Sequence, residues 1–229
     1  MKPSLLLLPG TFCTPAMWRH QRQHLADIAE VSVGDIGAGE SVAEVAANVL
    51  ADAPDTFALA GFSMGAIIAF EMLRRAPERV THLALLDANP GGSTPAQIEA
   101  WERMKETIRA GGLDEVLDGM AQNVHPQHGT LWLTETIRLM GQLTGEAACL
   151  RQLSTLQSRQ DSRETLGEIR CPTLLIVGRQ DKVTPPELHE QMHQMIPESS
   201  LAVIEESGHY TPVEQPQAVT ALLRQFLSE

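Results

Sequence analysis

Gly61-Phe62-Ser63-Met64-Gly65 sets one serine between two glycines, and the small Ala66 follows. A serine hydroxyl is a weak nucleophile that gains reach when a sharp strand-to-helix turn lifts it above the end of a sheet. Both arms of such a turn flank it here. The apolar run Phe57-Ala58-Leu59-Ala60 precedes the motif, and Ile67, Ile68, Phe70 and Met72 open a helical pattern after it. Glycine two places before and two places after the serine leaves room where the turn brings backbone together. The helix that follows aims its first free N–H groups at negative charge forming beside the serine.

Such a serine needs a base, and the base needs an acid to orient it. His209 ends Glu205-Glu206-Ser207-Gly208-His209, just past the apolar segment 201–204, and Asp181 ends Gly178-Arg179-Gln180-Asp181, just past the segment 173–177. Both positions are carboxyl ends of expected strands. Asp181 also suits a turn before Thr184-Pro185. Asp87, after the segment 80–86, competes for the acid role, its other reading being a turn or hinge residue. Acyl transfer further requires two donors for a tetrahedral oxyanion. Met64 N–H is one; the loop 9–14 should supply the other, with Thr11 N–H first and Phe12 N–H next, because Gly10 lets that backbone approach. Pocket candidates are Phe12 and Cys13 in this loop, Phe62 in the motif, and Trp132 and Met140 farther along.

The elements that must position these groups alternate. Strands are expected over 5–8, 31–36, 56–61 and 80–86, with helices over 15–28, behind the capping pattern Ser41-Val42-Ala43-Glu44, and over 64–75. From 90 to 166 the pattern is helical throughout, beginning with Thr94-Pro95-Ala96-Gln97 as cap and first turn. Strands over 173–177 and 201–204, a helix over 186–196 and a last helix from about 216 resume the rhythm. Alternation of this kind predicts a parallel sheet with helices on both faces. A helical insert between two strands predicts a cover over the sheet's carboxyl edge, where open α/β sheets bind ligands.

The 229 residues are 43% hydrophobic and 20% charged, enough for one domain with a sizeable core. A formal net charge of −12 argues against nucleic acid or an anionic membrane as partner. Cys13, Cys149 and Cys171 are too scattered for a disulfide framework or a zinc site, which suits a cytoplasmic setting. His125 and His128 in His-Pro-Gln-His lack the cysteine or carboxylate cluster that would complete a metal site and are expected on the surface. Leu5-Leu6-Leu7-Leu8 stops at Pro9-Gly10, too short for a signal peptide, and no stretch reaches the length of a membrane span.

Together, Leu7-Leu8-Pro9-Gly10, Gly61–Gly65, the run from Pro77 to Asp87, the run from Cys171 to Asp181 and the run from Gly208 to Pro216 resemble the α/β-hydrolase superfamily. The resemblance covers essentially the whole chain and is nearest to small lidded carboxylesterases and enol-lactonase-like members. It implies a doubly wound, mostly parallel sheet of about six strands, a core made of 1–89 and 167–229, and a helical lid over 90–166. It also implies a Ser63–Asp181–His209 triad with oxyanion donors at Thr11 and Met64, and no cofactor or metal. Pro9 stands where many relatives have histidine, and the first strand comes without the hairpin many relatives place before it. The expected function is a serine hydrolase acting on a small-molecule carboxylic ester, lactone or thioester. A lyase resembling the menaquinone-pathway synthase is one alternative, with Arg159 or Arg163 on a substrate carboxylate. A carrier-protein thioesterase is another, suggested by Ser63-Met64-Gly65-Ala66 and Ala69-Phe70-Glu71. A cofactor-free peroxidase side activity also occurs in this superfamily, and a ligand-binding receptor on the same fold is the non-enzyme alternative. Nothing in the sequence sets the oligomeric state.

Overall fold

The computed structural model describes residues 2–127 and 130–228. Its centre is a six-stranded sheet in the order β2-β1-β3-β4-β5-β6. The strands are β1 (Ser4–Leu8), β2 (Glu30–Val33), β3 (Phe57–Phe62), β4 (Val80–Leu86), β5 (Thr173–Gly178) and β6 (Ser199–Ile204), and every pairing is parallel. Parallel strands need crossovers, and helices supply them on both faces. That is why β3 and β5 are buried along their whole length.

Period-two alternation divides the strand side chains between two cores. On one face Leu6, Leu8 and Leu59 pack with Val45 and Val49 of α2 (Val42–Asp52) and Ile68 and Met72 of α3 (Met64–Arg75). On the other, Leu5, Leu7 and Ala58 pack with Leu25 of α1 (Arg19–Leu25) and with Val219, Leu223 and Phe226 near the chain's end.

Between β4 and β5 the chain leaves the sheet for a helical insert: α4 (Pro95–Arg109), α5 (Leu113–Ala121), α6 (Leu131–Thr144) and α7 (Glu146–Gln157). Thr94 opens it with a full capping box, its hydroxyl taking Gln97 N–H while the Gln97 side chain takes Thr94 N–H. After β5 come α8 (Pro186–Met195), β6, a single turn α9 (Thr211–Glu214) and α10 (Pro216–Phe226). Among the described residues no helix is long and apolar enough to cross a membrane.

Two elements differ from their sequence pattern. The strand expected over 31–36 stops at Val33, although Gly34 N–H still donates to Leu7 O at 3.0 Å, in a close approach to β1 where a Cβ would stand 2.7 Å from the Leu8 side chain. Ile36 then turns into the core rather than extending the ladder. The helix expected over 15–28 begins as a 3-10 turn, Pro15–Trp18, and only then becomes α1.

Sheet order fixes where a site can form. The chain runs from β1 outward to β2, then returns to place β3 on the opposite side of β1. The loops after β1 and β3 therefore part at a topological switch point, the crevice where such sheets accept ligands. Register keeps the strand ends level: Leu8 pairs with Gly61, Phe62 with Leu86, Leu86 with Ile176 and Gly178 with Ile204. Gly10, Ser63, Asp87, Asp181 and His209 thus emerge along one edge.

Candidate active site

Ser63 sits at φ 51 and ψ −110, a backbone conformation that side chains rarely adopt. Close packing holds it there. Its N–H donates to Leu86 O at 2.9 Å, and the glycines around it have no space for a side chain. A Cβ on Gly65 would meet Leu8 O at 2.3 Å, and one on Gly61 would meet Gly65 O at 2.6 Å. Gly10 faces the same turn, where a Cβ would stand 2.5 Å from the Phe62 ring.

His209 Nε2 lies 3.0 Å from Ser63 Oγ, and its Nδ1 lies 2.8 Å from Asp181 Oδ2. The histidine side chain is 6% exposed and that of Asp181 is fully buried. Asp181 is held by three further bonds: Val183 N–H and Thr184 N–H donate to Oδ1 at 2.8 and 3.0 Å, and Thr184 Oγ1 donates to Oδ2 at 2.6 Å. Burial alone would raise this carboxyl. The His209 bond and charge and the Thr184 donors outweigh burial and hold it at about 2, so it is ionised at neutral pH.

Met64 heads α3, so its N–H has no intrahelical acceptor. In the loop after β1 the two alternatives separate. Phe12 N–H donates to Gln152 Oε1 of α7 at 2.7 Å, whereas Thr11 N–H has no backbone acceptor among the described residues. Thr11 lines the same cleft as Ser63 and His209.

That cleft holds about 230 Å³, below the usual range for drug-sized ligands. Its far wall comes from the insert: Ala100, Trp101 and Met104 of α4, Met120 of α5, Leu153 and Leu156 of α7, and Arg159 beyond it. None of the five pocket candidates lines it. The Phe62 ring lies beneath, 5.4 Å from the His209 ring and 5.7 Å from Tyr210. Phe12 is buried in the core, and Cys13 borders a separate depression with Ala148 and Gln152, its thiol pushed up to about 12 by burial. Met140 is buried in the second core, while Trp132 is 67% exposed on the outer face of α6.

Around the site, Asp87 and His125 sit otherwise than their sequence context suggests, and His189 and Glu214 carry no sequence signal. Asp87 is not a loose hinge but fully buried, at φ 48. It accepts Gly178 N–H at 3.1 Å, Thr211 N–H at 3.2 Å and Thr211 Oγ1–H at 2.6 Å, tying β4 to β5 and to the histidine loop. Burial, and then the neighbouring Asp181, push its carboxyl well above the ordinary value. Buried His189 of α8 accepts Ala88 N–H at 2.8 Å, and burial holds its ring down at about 4. Glu214 gathers N–H groups from Gly208, Tyr210 and His125 at 3.0, 2.9 and 2.7 Å, and His209 N–H donates to Asn123 O at 2.8 Å. His125 is therefore buried against the histidine loop rather than on the surface. His128 lies outside the described residues.

Residues 5–222 match the profile of the alpha/beta hydrolase family. The chain belongs to that family. This hydrolase is 27% identical over 198 residues to a pimeloyl-[acyl-carrier protein] methyl ester esterase of Neisseria meningitidis, covering 80% of this chain and 75% of that one. A thermophilic esterase from Thermogutta terrifontis superposes with a TM-score of 0.86 at 28% identity, over 99% of this chain and 91% of the esterase. The enol-lactonase of Burkholderia xenovorans shares the fold, with a TM-score of 0.89 at 20% identity over 100% and 92% of the two chains. The chain is thus an enzyme of the hydrolase class, of esterase type.

Proposed function

We propose that the protein cleaves a small carboxylic ester, lactone or thioester through an acyl-enzyme on Ser63. The observation that carries this reading is the relay Ser63 Oγ–His209 Nε2–Asp181, at 3.0 and 2.8 Å, opening into a cleft of about 230 Å³. In the first half-reaction Ser63 Oγ attacks the carbonyl carbon and its proton passes to His209 Nε2. Asp181, ionised and fixed by four donors, keeps the other ring proton on Nδ1 and stabilises the imidazolium. Thr11 N–H and Met64 N–H receive the oxyanion. Collapse expels the alcohol or thiol, which takes the proton from His209. Water, activated by the same histidine, then releases the acid.

The helical segment 90–166 acts as the lid and sets the accepted acyl group. The substrate named for the Neisseria relative, a methyl ester on a carrier-bound acyl chain, supports reaction at a carboxylic ester. A fluorophosphonate tests the reading: intact-mass spectrometry should find one covalent adduct at neutral pH on the wild type and none on Ser63→Ala. An adduct that survives on Ser63→Ala, or none on the wild type, overturns it.

A further inference from the structure

Arg159 is 9% exposed and faces the ester cleft, yet no carboxylate stands within ion-pair distance of it among the described residues. Its Nη2 donates to Gly92 O at 3.3 Å and to Gln97 Oε1 at 2.9 Å, and the guanidinium lies 5.5 Å from the centre of the Trp101 ring. Gln97 Oε1 is a divided acceptor, because it also takes Thr94 N–H and Thr94 Oγ1–H in the capping box. Nε is buried with no hydrogen-bond partner among the described residues. The neighbouring acid, Asp161, is engaged elsewhere: it forms a two-pronged pair with Arg163, out on the surface. Arg163 is absent from the cleft lining, so the two arginines have different surroundings.

A buried cation is ordinarily paired, because its desolvation cost is large. The carbonyl, the amide oxygen and the ring position this guanidinium without neutralising it. The other carboxyls near the cleft do not serve either: Asp181 is bound to His209 and Thr184, and Asp87 to Gly178 and Thr211. We infer that the missing partner is the substrate, and that Arg159 is the anion subsite of a hydrolase whose preferred ester carries a second, free carboxylate. This rests on the esterase reading above. A cleft of about 230 Å³ suits a short spacer between the two ends, as in a half-ester of a short dicarboxylic acid, and a planar guanidinium fork suits a carboxylate.

The test compares monomethyl glutarate with methyl 5-methylhexanoate, in which an isopropyl group replaces the carboxylate, following methanol release. The wild type should favour the charged ester in kcat/KM. Arg159→Gln should lower the charged-to-neutral ratio by about 100-fold, the usual effect of losing a charge-assisted bond, and Arg159→Lys should recover part of it. Equal rates on both esters in the wild type, or an equal fall on both in Arg159→Gln, would make Arg159 a structural staple and overturn the inference. A second arm titrates glutarate into Ser63→Ala by calorimetry, where binding should disappear on adding Arg159→Gln. If the wild type turns over neither ester, this titration decides alone, and the fluorophosphonate adduct decides the esterase reading separately: binding that depends on Arg159 keeps the subsite, and no such binding removes it.

Discussion

Replacing Asp181 by asparagine isolates one atom of the relay. The amide is nearly the same shape, and its orientation is fixed by the surroundings. Val183 N–H and Thr184 N–H point at Oδ1 from 2.8 and 3.0 Å, so the amide oxygen must occupy that position. A flip would set an NH2 group against both donors and forfeit two bonds of about 1 kcal/mol each, besides the repulsion. The amide nitrogen is thereby forced into the place of Oδ2, 2.8 Å from His209 Nδ1. Two donors cannot face each other, so the ring must carry its proton on Nε2, the nitrogen 3.0 Å from Ser63 Oγ. A histidine in that tautomer cannot take the serine proton, and its imidazolium loses the countercharge. The expected loss in kcat is on the order of 10⁴, about 5 kcal/mol of barrier, as amide replacement produces in the serine proteases. Asp87→Asn is the control: its carboxyl touches Gly178 and Thr211 but not the ring, so a loss nearer tenfold is expected. Both variants should be assayed on one p-nitrophenyl ester, with circular dichroism to establish folding. A folded Asp181→Asn that keeps more than about a tenth of wild-type turnover would refute this reasoning, as would Asp87→Asn being the dead variant.

Three other outcomes are expected. His189, fully buried, has its ring held at about 4 against 6.5 in the unfolded chain, so its contribution to stability is complete above pH 6.5 and declines as pH falls towards 4. Urea unfolding at pH 7.5 and 4.5 should show this decline shrinking by about 3 kcal/mol in His189→Gln; an unaltered decline rejects it. Gly65→Ala drives a Cβ to 2.3 Å from Leu8 O and should lower stability by about 3 kcal/mol, whereas Gly119→Ala, in α5 with nothing within 4 Å, should raise it by about 0.5–1 kcal/mol; melting curves decide. Met104→Ala should move acyl-chain preference towards longer esters and Trp132→Ala should not, since only Met104 lines the cleft; the reverse result on a p-nitrophenyl ester series would relocate the pocket.

The strand, turn and helix around Ser63 were legible because their determinants are local: an apolar run, two glycines with no space for a side chain, and a helical stripe. Asp181 and His209 could be read from their places after strands, since a parallel sheet delivers all its carboxyl ends to one edge. The pocket wall could not. On α6 Leu133, Ile137 and Met140 are buried while Leu131, Trp132, Leu139 and Leu143 are exposed, so the apolar stripe is wider than the buried face and its pattern does not say which part points inward. Trp101 and Met104 of α4 line the cleft although residue type alone does not distinguish them from Trp132 and Met140. His189 and Glu214 were invisible for another reason. Their roles come from neighbours about a hundred residues away, or across a loop, that no spacing rule encodes.

Five non-glycine residues have positive φ among the described residues, and three of them, Phe12, Ser63 and Asp87, stand in the loops after β1, β3 and β4. Each such conformation costs about 1–3 kcal/mol, a cost that glycine avoids. Selection for heat resistance and selection for turnover therefore pull Ser63 in opposite directions. A library screened only for survival at high temperature would be rewarded for glycine at 63, whereas at 12 and 87 the loss of the buried Phe12 ring and of the Asp87 bonds to Gly178 and Thr211 offsets the relief. The same positions give a practical rule for engineering: stabilising changes belong in the outer helices, and the carboxyl edge of the sheet is to be left under tension.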